Sequence, residues 1–366
     1  MPRTQADYQQ QLSEKELRLN QQFSLFAHEQ SLPELQVFTS APTHYRMRAE
    51  FRVWHEGDDL FYIMFEPGTR NKYRVETFPV ACELINTLMP EVLNYVKSKP
   101  ELRHRLFQID YLATQTGQAA ISLLYHRQLD DQWINAAEEM RAHLQSFGQI
   151  ELIGRARKQK LLVHNDRVIE TLQVNGKAFQ FEQIENSFTQ PNAQVNEKML
   201  EWALSVTQGS CGDLLELYCG NGNFSLPLAQ SFQRVLGTEI SRTSVMSAQT
   251  NIALNSIDNV LIARMSAEEV SAAMKGEFAS RRVDELKLED YDFKTVLVDP
   301  PRAGLDDATL GMVQAYDNIL YISCNPDTLI ENLKQLCKTH RIVHRALFDQ
   351  FPFTHHTEAG VYLTKR

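Results

Sequence analysis

The sequence predicts an α/β protein in which a doubly wound, mostly parallel sheet fills the C-terminal part and a smaller α+β domain precedes it. After residue 187, short apolar runs alternate with helical stretches, which is typical of parallel strands joined by crossover helices. Before it, turn pairs such as Asn175-Gly176 separate segments of alternating polarity. We therefore expect two domains, residues 1–186 and 187–366, each large enough for its own core.

The N-terminal domain is expected to open with a polar helix over residues 8–30, rich in Gln, Glu and Leu. Polarity patterns and turn residues then predict strands at 44–55, 59–66 and 72–76 with turns at Gly57-Asp58 and Pro67-Gly68, a helix over 80–99, a hairpin over 106–125, a helix over 131–147 and strands within 150–186.

A helix over residues 194–207 should open the C-terminal domain. Its strands are expected at 213–219, 234–240, 259–265, 295–299, 318–324, 341–349 and 361–365. The last two strands are joined by a link too short for a parallel crossover, so they should be antiparallel neighbours. The charged residues 275–292 suggest an irregular surface insertion.

Composition excludes several classes of protein. A hydrophobic content of 43% and a charged content of 23% are typical of globular proteins, and no apolar run approaches the roughly 20 residues of a membrane span. The polar N-terminus does not resemble a signal peptide. The five cysteines are scattered without a C-x-x-C pair, which argues against a disulfide framework, a zinc site or an iron–sulfur cluster. We expect a cytoplasmic protein without a metal, a membrane anchor or an obligate protein partner.

Charge is unevenly distributed along this chain of net charge −9. Residues 41–160 hold 16 Lys and Arg against 15 Asp and Glu, whereas residues 161–366 hold 18 against 26. The basic residues cluster, as at Arg46-Arg48-Arg52, and aromatic residues are interleaved with them. Such clusters are usually solvated surface, and most of the aromatics fit strand cores. The same combination also suits RNA, since cations meet phosphates and aromatic rings stack on unpaired bases.

Three predicted strands end in polar loops that carry reactive side chains. They end at Gly220-Asn221-Gly222-Asn223, at Asp299-Pro300-Pro301 and at Cys324-Asn325-Pro326. Because ligands of open α/β sheets bind at the carboxyl ends of the strands, we expect these loops to share one crevice.

The glycine loop after the first of these strands predicts a nucleotide cofactor. Gly220 and Gly222 allow close backbone approach, and Glu239 ends the next strand, where an acid can bind ribose hydroxyls. An ordinary strand–helix turn is the alternative, because the third glycine of the dinucleotide motif is missing. Asn223 in the loop favours S-adenosylmethionine, which has no phosphates, over a dinucleotide.

Cys324 is the candidate nucleophile, and its place before a predicted helix suggests a lowered thiol pKa. The alternatives are a structural role for Cys324, or Cys219 beside the glycine loop as the reactive thiol. Glu358 with His355 resembles a metal site, but a third ligand is missing nearby. A general base opposite Cys324 is the better interpretation of this carboxylate.

These motifs, in this order, resemble the S-adenosylmethionine-dependent RNA 5-methyluridine methyltransferases, and specifically their tRNA (uracil-5-) branch. The similarity spans nearly the whole chain. The carrying motifs are SFTQPN at 187–192, LYCGNGNFS at 217–225, DPPRAGL at 299–305, YISCNP at 321–326 and HHTE at 355–358, with HYRMRAEFR at 44–52 similar to the RNA-binding half. Related ribosomal-RNA enzymes commonly carry a four-cysteine iron–sulfur site and a β-barrel RNA module, which this sequence lacks.

The resemblance implies a Rossmann-like class I methyltransferase domain, an N-terminal RNA-binding domain and methyl transfer to carbon 5 of uridine 54 in the T-loop of tRNA. It implies that Cys324 adds to carbon 6 of the uracil and that Glu358 removes the carbon 5 proton. The residues implied to bind the cofactor are Gln190, Tyr218, Gly220, Gly222, Asn223, Glu239 and Asp299. Substrate contacts are expected from Arg302, Arg46, Arg48, Arg52 and Phe107.

Other functions stay open at this point. Asp-Pro-Pro also resembles the motif with which amino-group methyltransferases hold an exocyclic amine, and then Cys324 would be structural. A methyltransferase for ribosomal-RNA uridine or for cytosine, and a chaperone that binds and remodels tRNA or other T-loop-like RNAs, are further candidates. A dehydrogenase fits less well, because the third glycine is missing and the Cys–Glu pair would have no use.

Overall fold

The computed structural model describes residues 4–66 and 68–366. The chain forms two compact units. The larger unit combines the chain up to Pro42 with Leu172–Phe181 and Gln194–Arg366, and the smaller unit combines Thr43–Thr171 with Glu182–Ala193. This division differs from the single boundary expected at residue 186, because the chain passes between the units several times.

The strands are β1 (Leu35–Phe38), β2 (Arg48–Glu56), β3 (Asp59–Phe65), β4 (Lys72–Val75), β5 (Leu106–Ala113), β6 (Gln118–Tyr125), β7 (Gln149–Ala156), β8 (Gln159–Leu162), β9 (Arg167–Val174), β10 (Lys177–Ile184), β11 (Asp213–Leu217), β12 (Val235–Thr238), β13 (Val260–Ala263), β14 (Phe293–Val298), β15 (Asn318–Ser323), β16 (His340–Phe348) and β17 (Glu358–Lys365).

The α-helices are α1 (Gln5–Phe23), α2 (Glu83–Ser98), α3 (Pro100–Arg103), α4 (Asp131–Leu144), α5 (Ala193–Val206), α6 (Ser225–Leu228), α7 (Arg242–Leu254), α8 (Ala267–Met274), α9 (Arg281–Leu286), α10 (Asp307–Val313) and α11 (Pro326–Leu336). Short 3₁₀ turns lie at Ser24–Phe26, Ala229–Ser231 and Leu288–Asp290.

The larger unit is built on an eight-stranded sheet in the order β1-β16-β17-β15-β14-β11-β12-β13. Its pairs are parallel except those of β17, which is antiparallel to both β15 and β16. The predicted α/β sheet with an antiparallel last strand is thus confirmed. Its central strands are buried on both faces, as in Asp213–Leu217, where every residue is buried.

The smaller unit contains a seven-stranded sheet in the order β4-β3-β2-β5-β6-β7-β8. Its pairs are antiparallel except β6–β7, which are parallel and are connected through α4. The strands β9 and β10 form a separate two-stranded sheet. The expected turn at Pro67-Gly68 falls partly outside the described residues, since Pro67 is not among them.

Two predicted elements differ from the structure. The helix expected over residues 8–30 begins earlier, because Thr4 and Asp7 form a capping box, and its α-helical part ends at Phe23. The segment 275–292 is not irregular throughout. It contains α9, whose first turn is capped by the Ser280 hydroxyl accepting from the Val283 amide at 3.3 Å. A helix of six residues is too short to show periodicity.

Helix α1 belongs to the core of the larger unit. Tyr8, Leu12, Leu19 and Phe23 are buried in one cluster with the central strands. Within the described part of the chain, the helices fall short of the length and apolar character that membrane crossing requires.

Candidate active site

The carboxyl ends of four neighbouring strands come together in the larger unit. Leu217 of β11 pairs with Val298 of β14 and with Thr238 of β12, and Val298 pairs in turn with Tyr321 of β15. The residues that follow these pairs therefore lie side by side at one edge of the sheet. That edge brings together Tyr218, Glu239 and Asp299, with Cys324 three residues beyond Tyr321.

Cys324 and Glu358 are neighbours across an antiparallel strand pair. Ser323, the last residue of β15, faces Ala359 of β17. Cys324 follows Ser323 and Glu358 precedes Ala359, so the two side-chain positions adjoin in space although 34 residues separate them in sequence. Cys324 is half-buried, and Glu358 is 4% exposed.

Burial and mutual repulsion favour the neutral forms of two acidic groups at this edge. Desolvation raises the pKa of Asp299 to about 7. Desolvation, followed by the charge of Asp299, raises the pKa of Glu358 well above its usual range. A low-dielectric site with several carboxyls disfavours a second negative charge next to the first.

The pKa of the Cys324 thiol is raised to about 11, first by burial and then by the charges of Glu358 and Asp299, with Arg302 acting in the opposite direction. The lowered pKa expected from the following helix is therefore wrong for the protein without ligands. The helix α11 does begin close after Cys324, with Asn325 as its cap, but burial and the charges of two nearby carboxyls outweigh the effect of the helix.

A cavity of about 250 Å³ opens onto Cys324. Its walls come from α1, from Arg302, from the residues that follow β15 and from the link before β17. Arg302 is exposed and its guanidinium donates to Nδ1 of His356 at 2.7 Å. The backbone carbonyl of Arg302 accepts from Asn325 Nδ2 at 2.9 Å, which ties the loop after β14 to the start of α11.

The loop after β11 has the shape of a ligand cradle. Tyr218, Gly220 and Gly222 all have positive φ, at 62°, 57° and 84°. A Cβ at Gly222 would lie 2.4 Å from Leu226 Cδ1, whereas one at Gly220 would meet nothing within 4 Å. Gly222 is thus packed closely against Leu226, whereas Gly220 borders open space.

Glu239 and Asn223 are both engaged at this loop. Glu239 accepts from the Gly220 amide at 3.1 Å and from the Ser241 amide at 2.7 Å. Asn223 exchanges two hydrogen bonds with Asn196, at 2.8 and 2.9 Å. Each carboxylate oxygen of Glu239 keeps a further lone pair, so ribose hydroxyls still have an acceptor there. The open cradle at Gly220 and this carboxylate fit an adenosyl group.

Glu216, in β11 just before the loop, was not predicted as a site residue. It is buried, and Ser225 donates a hydrogen bond to its carboxyl group. Desolvation raises its pKa to about 8, and the charge of Asp299 adds to the effect. Glu216 is a single polar residue within an apolar strand. The hydrophobic pattern of the strand therefore did not indicate that it belongs to the site.

The remaining predicted residues lie in the smaller unit. Gln190 is half-buried in the segment 182–193. The Arg46 side chain donates to the main-chain carbonyl of Arg48 at 2.8 Å. The Arg48 side chain donates to the main-chain carbonyl of Ser187 at 2.7 Å. Both arginines therefore brace their own unit.

Phe107 forms an aromatic stack in the smaller unit. Its ring lies parallel to the His126 ring, with centroids 3.9 Å apart and an interplanar angle of 10°. The guanidinium of the exposed Arg52 lies 5.7 Å from the Phe107 centroid. Flat surfaces of this kind are suited to stacking with a nucleobase.

In the described ranges 4–66 and 68–366, no cluster of three or more His, Cys, Asp or Glu residues could hold a metal ion. His355 and His356 lie in the cavity wall instead. The sequence analysis missed the contribution of α1 to this wall, from Lys15, Arg18, Leu19 and Gln22. Their i, i+3, i+4, i+7 spacing places them on one helix face, a signal that was present in the sequence.

Two relatives match this chain along almost its whole length. It is 57% identical over 361 residues to the tRNA/tmRNA (uracil-C(5))-methyltransferase of Pseudoalteromonas atlantica, covering 99% of this chain and 98% of that protein. It is 59% identical over 360 residues to the protein of that name from Psychromonas ingrahamii, covering 98% of each.

A solved structure has the same fold. The Pyrococcus abyssi tRNA (uracil-54, C5)-methyltransferase in complex with S-adenosyl-L-homocysteine aligns with a TM-score of 0.70 at 20% identity, over 98% of this chain and 83% of that one. The sequence model of the tRNA (Uracil-5-)-methyltransferase family matches residues 7–366 of this chain. With the cysteine, carboxyls and glycine cradle gathered at one sheet edge, the chain belongs to the tRNA (uracil-5-)-methyltransferase family.

Proposed function

We propose that this protein methylates carbon 5 of a uridine in the T-arm of tRNA, uridine 54 by resemblance, through a covalent adduct with Cys324. S-adenosylmethionine is the methyl donor, and Glu358 is the base that completes the reaction. The relatives named above carry the activity in their names. The five free cysteines fit a reducing compartment such as the cytoplasm.

The observation that carries the proposal is the pairing of β15 with β17. It sets the thiol of Cys324 beside the carboxyl of Glu358, and Cys324 also faces the cavity next to Arg302. A nucleophile and a base on adjoining strands can act on adjacent atoms of one ring. Carbons 5 and 6 of uracil are such adjacent atoms.

In the first step, the Cys324 thiol releases its proton to solvent and the sulfur adds to carbon 6 of the uracil. The electron pair of the carbon 5–carbon 6 bond moves toward carbon 5 and the carbon 4 carbonyl, giving an enolate. Arg302, exposed in the cavity wall, is positioned to stabilise the negative charge on a carbonyl oxygen. S-adenosylmethionine, when bound, would supply an electrophilic methyl group to carbon 5, with the sulfur–methyl bond breaking and S-adenosylhomocysteine leaving.

In the second step, the carboxylate form of Glu358 accepts the proton of carbon 5. The electron pair of the broken carbon–hydrogen bond restores the ring double bond, and the bond between carbon 6 and the Cys324 sulfur breaks. The thiolate is released and takes up a proton from solvent, while Glu358 passes its proton to solvent. One proton is thus produced for each methyl group transferred. A Glu358 pKa that lies well above its usual range makes this carboxyl a stronger base once it is ionised.

The cofactor is proposed to lie along the glycine cradle. The loop after β11 would contact it through Tyr218, Gly220, Gly222 and Asn223. Glu239 would bind its ribose, and Asp299 would contact it from the end of β14. Gln190 is assigned to the same cofactor by resemblance alone. The space above Gly220 and the free lone pairs of Glu239 support the assignment.

The smaller unit is proposed to bind the RNA. The Arg52–Phe107–His126 stack offers a flat cationic platform for an unpaired base. Arg46 and Arg48 would contribute positive charge, although their side chains are also used internally. The target uridine must leave its stack in the T-loop to reach Cys324.

Trapping the adduct tests the proposal. A tRNA transcript containing 5-fluorouridine is incubated with the protein and S-adenosylmethionine. Because fluorine cannot leave as a proton does, the second step fails and the covalent complex accumulates. We expect a protein–RNA complex that withstands denaturation and is absent in Cys324→Ala. Cys211→Ala, which removes an exposed free thiol, should form it normally. Full methylation of ordinary tRNA by Cys324→Ala would refute the nucleophile.

A further inference from the structure

Helix α1 lies in the wall of the cavity that contains Cys324. Four residues of one helix face, namely Lys15, Arg18, Leu19 and Gln22, line it together with residues 324–327. Leu19 is 1% exposed and fixes the helix in the core, while the Arg18 side chain is 60% exposed. The helix therefore presents a fixed but accessible cation at the cavity mouth.

Lys15 anchors this face of α1 to the chain segment that follows β16. Lys15 Nζ lies 2.7 Å from Asp349 Oδ1, and the two side chains are 6% and 0% exposed. Lys15 also donates to the Phe351 carbonyl at 3.0 Å. The Lys15 charge is thus neutralised inside the protein, and Arg18, one turn further along, is the cation that solvent can reach.

Arg18 is held by a weak and exposed partner. Its guanidinium lies 3.4 Å from Asp327 Oδ1, and Gln22 Nε2 donates to the same oxygen at 2.5 Å. The Asp327 side chain is 65% exposed. An exposed pair of this kind contributes little to stability and exchanges readily with another anion.

The charge around the cavity favours an anionic ligand, in contrast to the chain's net charge of −9. Arg302, which also lines the cavity, donates to the imidazole of His356. Desolvation and the nearby cations Arg302 and Lys15 lower the pKa of His356, so this imidazole stays neutral and leaves the Arg302 charge uncompensated by its partner. Two guanidinium groups therefore border the cavity.

We propose that Arg18 binds a backbone phosphate of the RNA next to the target uridine, exchanging Asp327 for that phosphate when the nucleotide enters the cavity. Gln22 then keeps Asp327 in place. Arg18 is a positioning residue, because it fixes the nucleotide without touching the reacting atoms. The inference rests on the proposed function, since it takes the cavity at Cys324 as the nucleotide site.

The test measures tRNA binding against salt concentration. A phosphate contact from one cation contributes about 0.7–0.9 to the slope of log K against log[salt]. We expect Arg18→Gln to reduce the slope by about that amount and to raise the KM for tRNA about tenfold, with kcat nearly unchanged. Arg18→Lys should restore most of the slope. Arg281→Gln, which removes a 92% exposed arginine from α9, is the matched control and should leave both unchanged.

Asp327→Asn separates phosphate binding from a merely structural contact. If Arg18 serves only to hold Asp327, the two variants have the same effect. In our proposal Asp327→Asn frees Arg18 and tightens tRNA binding, the opposite of Arg18→Gln. An unchanged slope in Arg18→Gln, or weaker binding in Asp327→Asn, would overturn it. Failure of the proposed function would appear differently, as a lack of methylation and of adduct in the unaltered protein.

Discussion

Ser323 and Ala359 face each other across the antiparallel pair β15–β17, and this one register relation makes neighbours of Cys324 and Glu358. A slip of one residue would turn the carboxyl to the other face of the sheet. The pairing extends over six residue pairs, from Asn318 and Thr364 to Ser323 and Ala359, which fixes the register. The position of the proposed base thus depends on backbone hydrogen bonds rather than on a flexible loop.

Glu358→Gln is expected to separate the two halves of the reaction. The glutamine keeps the size of the side chain but cannot accept the carbon 5 proton. With ordinary tRNA and S-adenosylmethionine, the variant should transfer one methyl group and then remain bound to the RNA through Cys324. Gel electrophoresis under denaturing conditions with a labelled methyl group detects the product. Rapid multiple turnover by this variant would show that another group removes the proton.

The Cys324 thiol should react slowly with iodoacetamide at neutral pH. Its pKa of about 11 means that the thiolate fraction rises about tenfold for each pH unit between 7 and 10. The rate is measured in a Cys211→Ser background, because Cys211 is exposed and would dominate the signal.

In Glu358→Gln the same thiol should react faster at alkaline pH, where the ionised carboxylate of the unaltered protein raises the thiol pKa, and the two rates should converge at lower pH, where burial keeps the Glu358 carboxyl protonated. The other carboxyl, Asp299, remains in both proteins, so the comparison isolates the effect of Glu358. Equal rates in the two proteins would mean that Glu358 carries no charge next to the sulfur over this pH range.

Lys15→Met is expected to destabilise the fold strongly. The substitution leaves the carboxylate of Asp349, which is 0% exposed, without its cation. Breaking a buried pair from one side typically costs about 3–5 kcal/mol of unfolding free energy. Urea denaturation gives the value. The double variant Lys15→Met/Asp349→Leu should recover much of the loss, because it also removes the buried charge. A double variant no more stable than the single one would contradict this account.

The unfolding free energy should depend on pH through Glu216. The pKa of this carboxyl is about 8 in the folded protein, against 4.5 as its ordinary value. Between these values the unfolded chain has lost the proton that the folded chain retains, so stability is full below pH 4.5 and falls as pH rises toward 8. The slope is at most about 1.4 kcal/mol per pH unit.

Glu216→Gln should remove this part of the slope while keeping an acceptor for the Ser225 hydroxyl. Urea denaturation at pH 5, 6, 7 and 8 compares the two proteins, and the variant should gain in relative stability as pH rises. Asp299 titrates in both proteins and largely cancels in the difference. Parallel pH curves would show that Glu216 is already ionised in the folded protein.

Much of the larger unit could be predicted because its sheet strands are buried on both faces. Runs such as residues 319–322 are continuously apolar and stop at a polar loop, so strand ends and candidate site residues were visible together. The short link before β17 predicted its antiparallel direction for a simple geometrical reason. Local sequence is sufficient to predict a site residue wherever its loop directly follows the strand that positions it.

Features that depend on distant contacts could not be predicted in this way. The strand β1 has only four residues and owes its existence to pairing with β16, where Leu35 faces Arg345. The Cys324 pKa depends on Glu358 and Asp299, which approach it only in the folded sheet. The helical spacing of Lys15, Arg18 and Gln22 was visible in the sequence, but only the folded structure shows that this face of α1 lines the cavity with Cys324.

The joining of β1 to β16 also constrains when the larger unit can form. The side chain of Gln30, just before β1, accepts a hydrogen bond from the amide of Ile342, a residue 312 positions later. At about 5–20 residues per second, a ribosome needs tens of seconds to synthesise the intervening chain. During that interval the apolar face of α1 has no partner strands, so it stays exposed to solvent or is covered by a chaperone. Catalytic competence therefore arrives only when the last strands emerge from the exit tunnel.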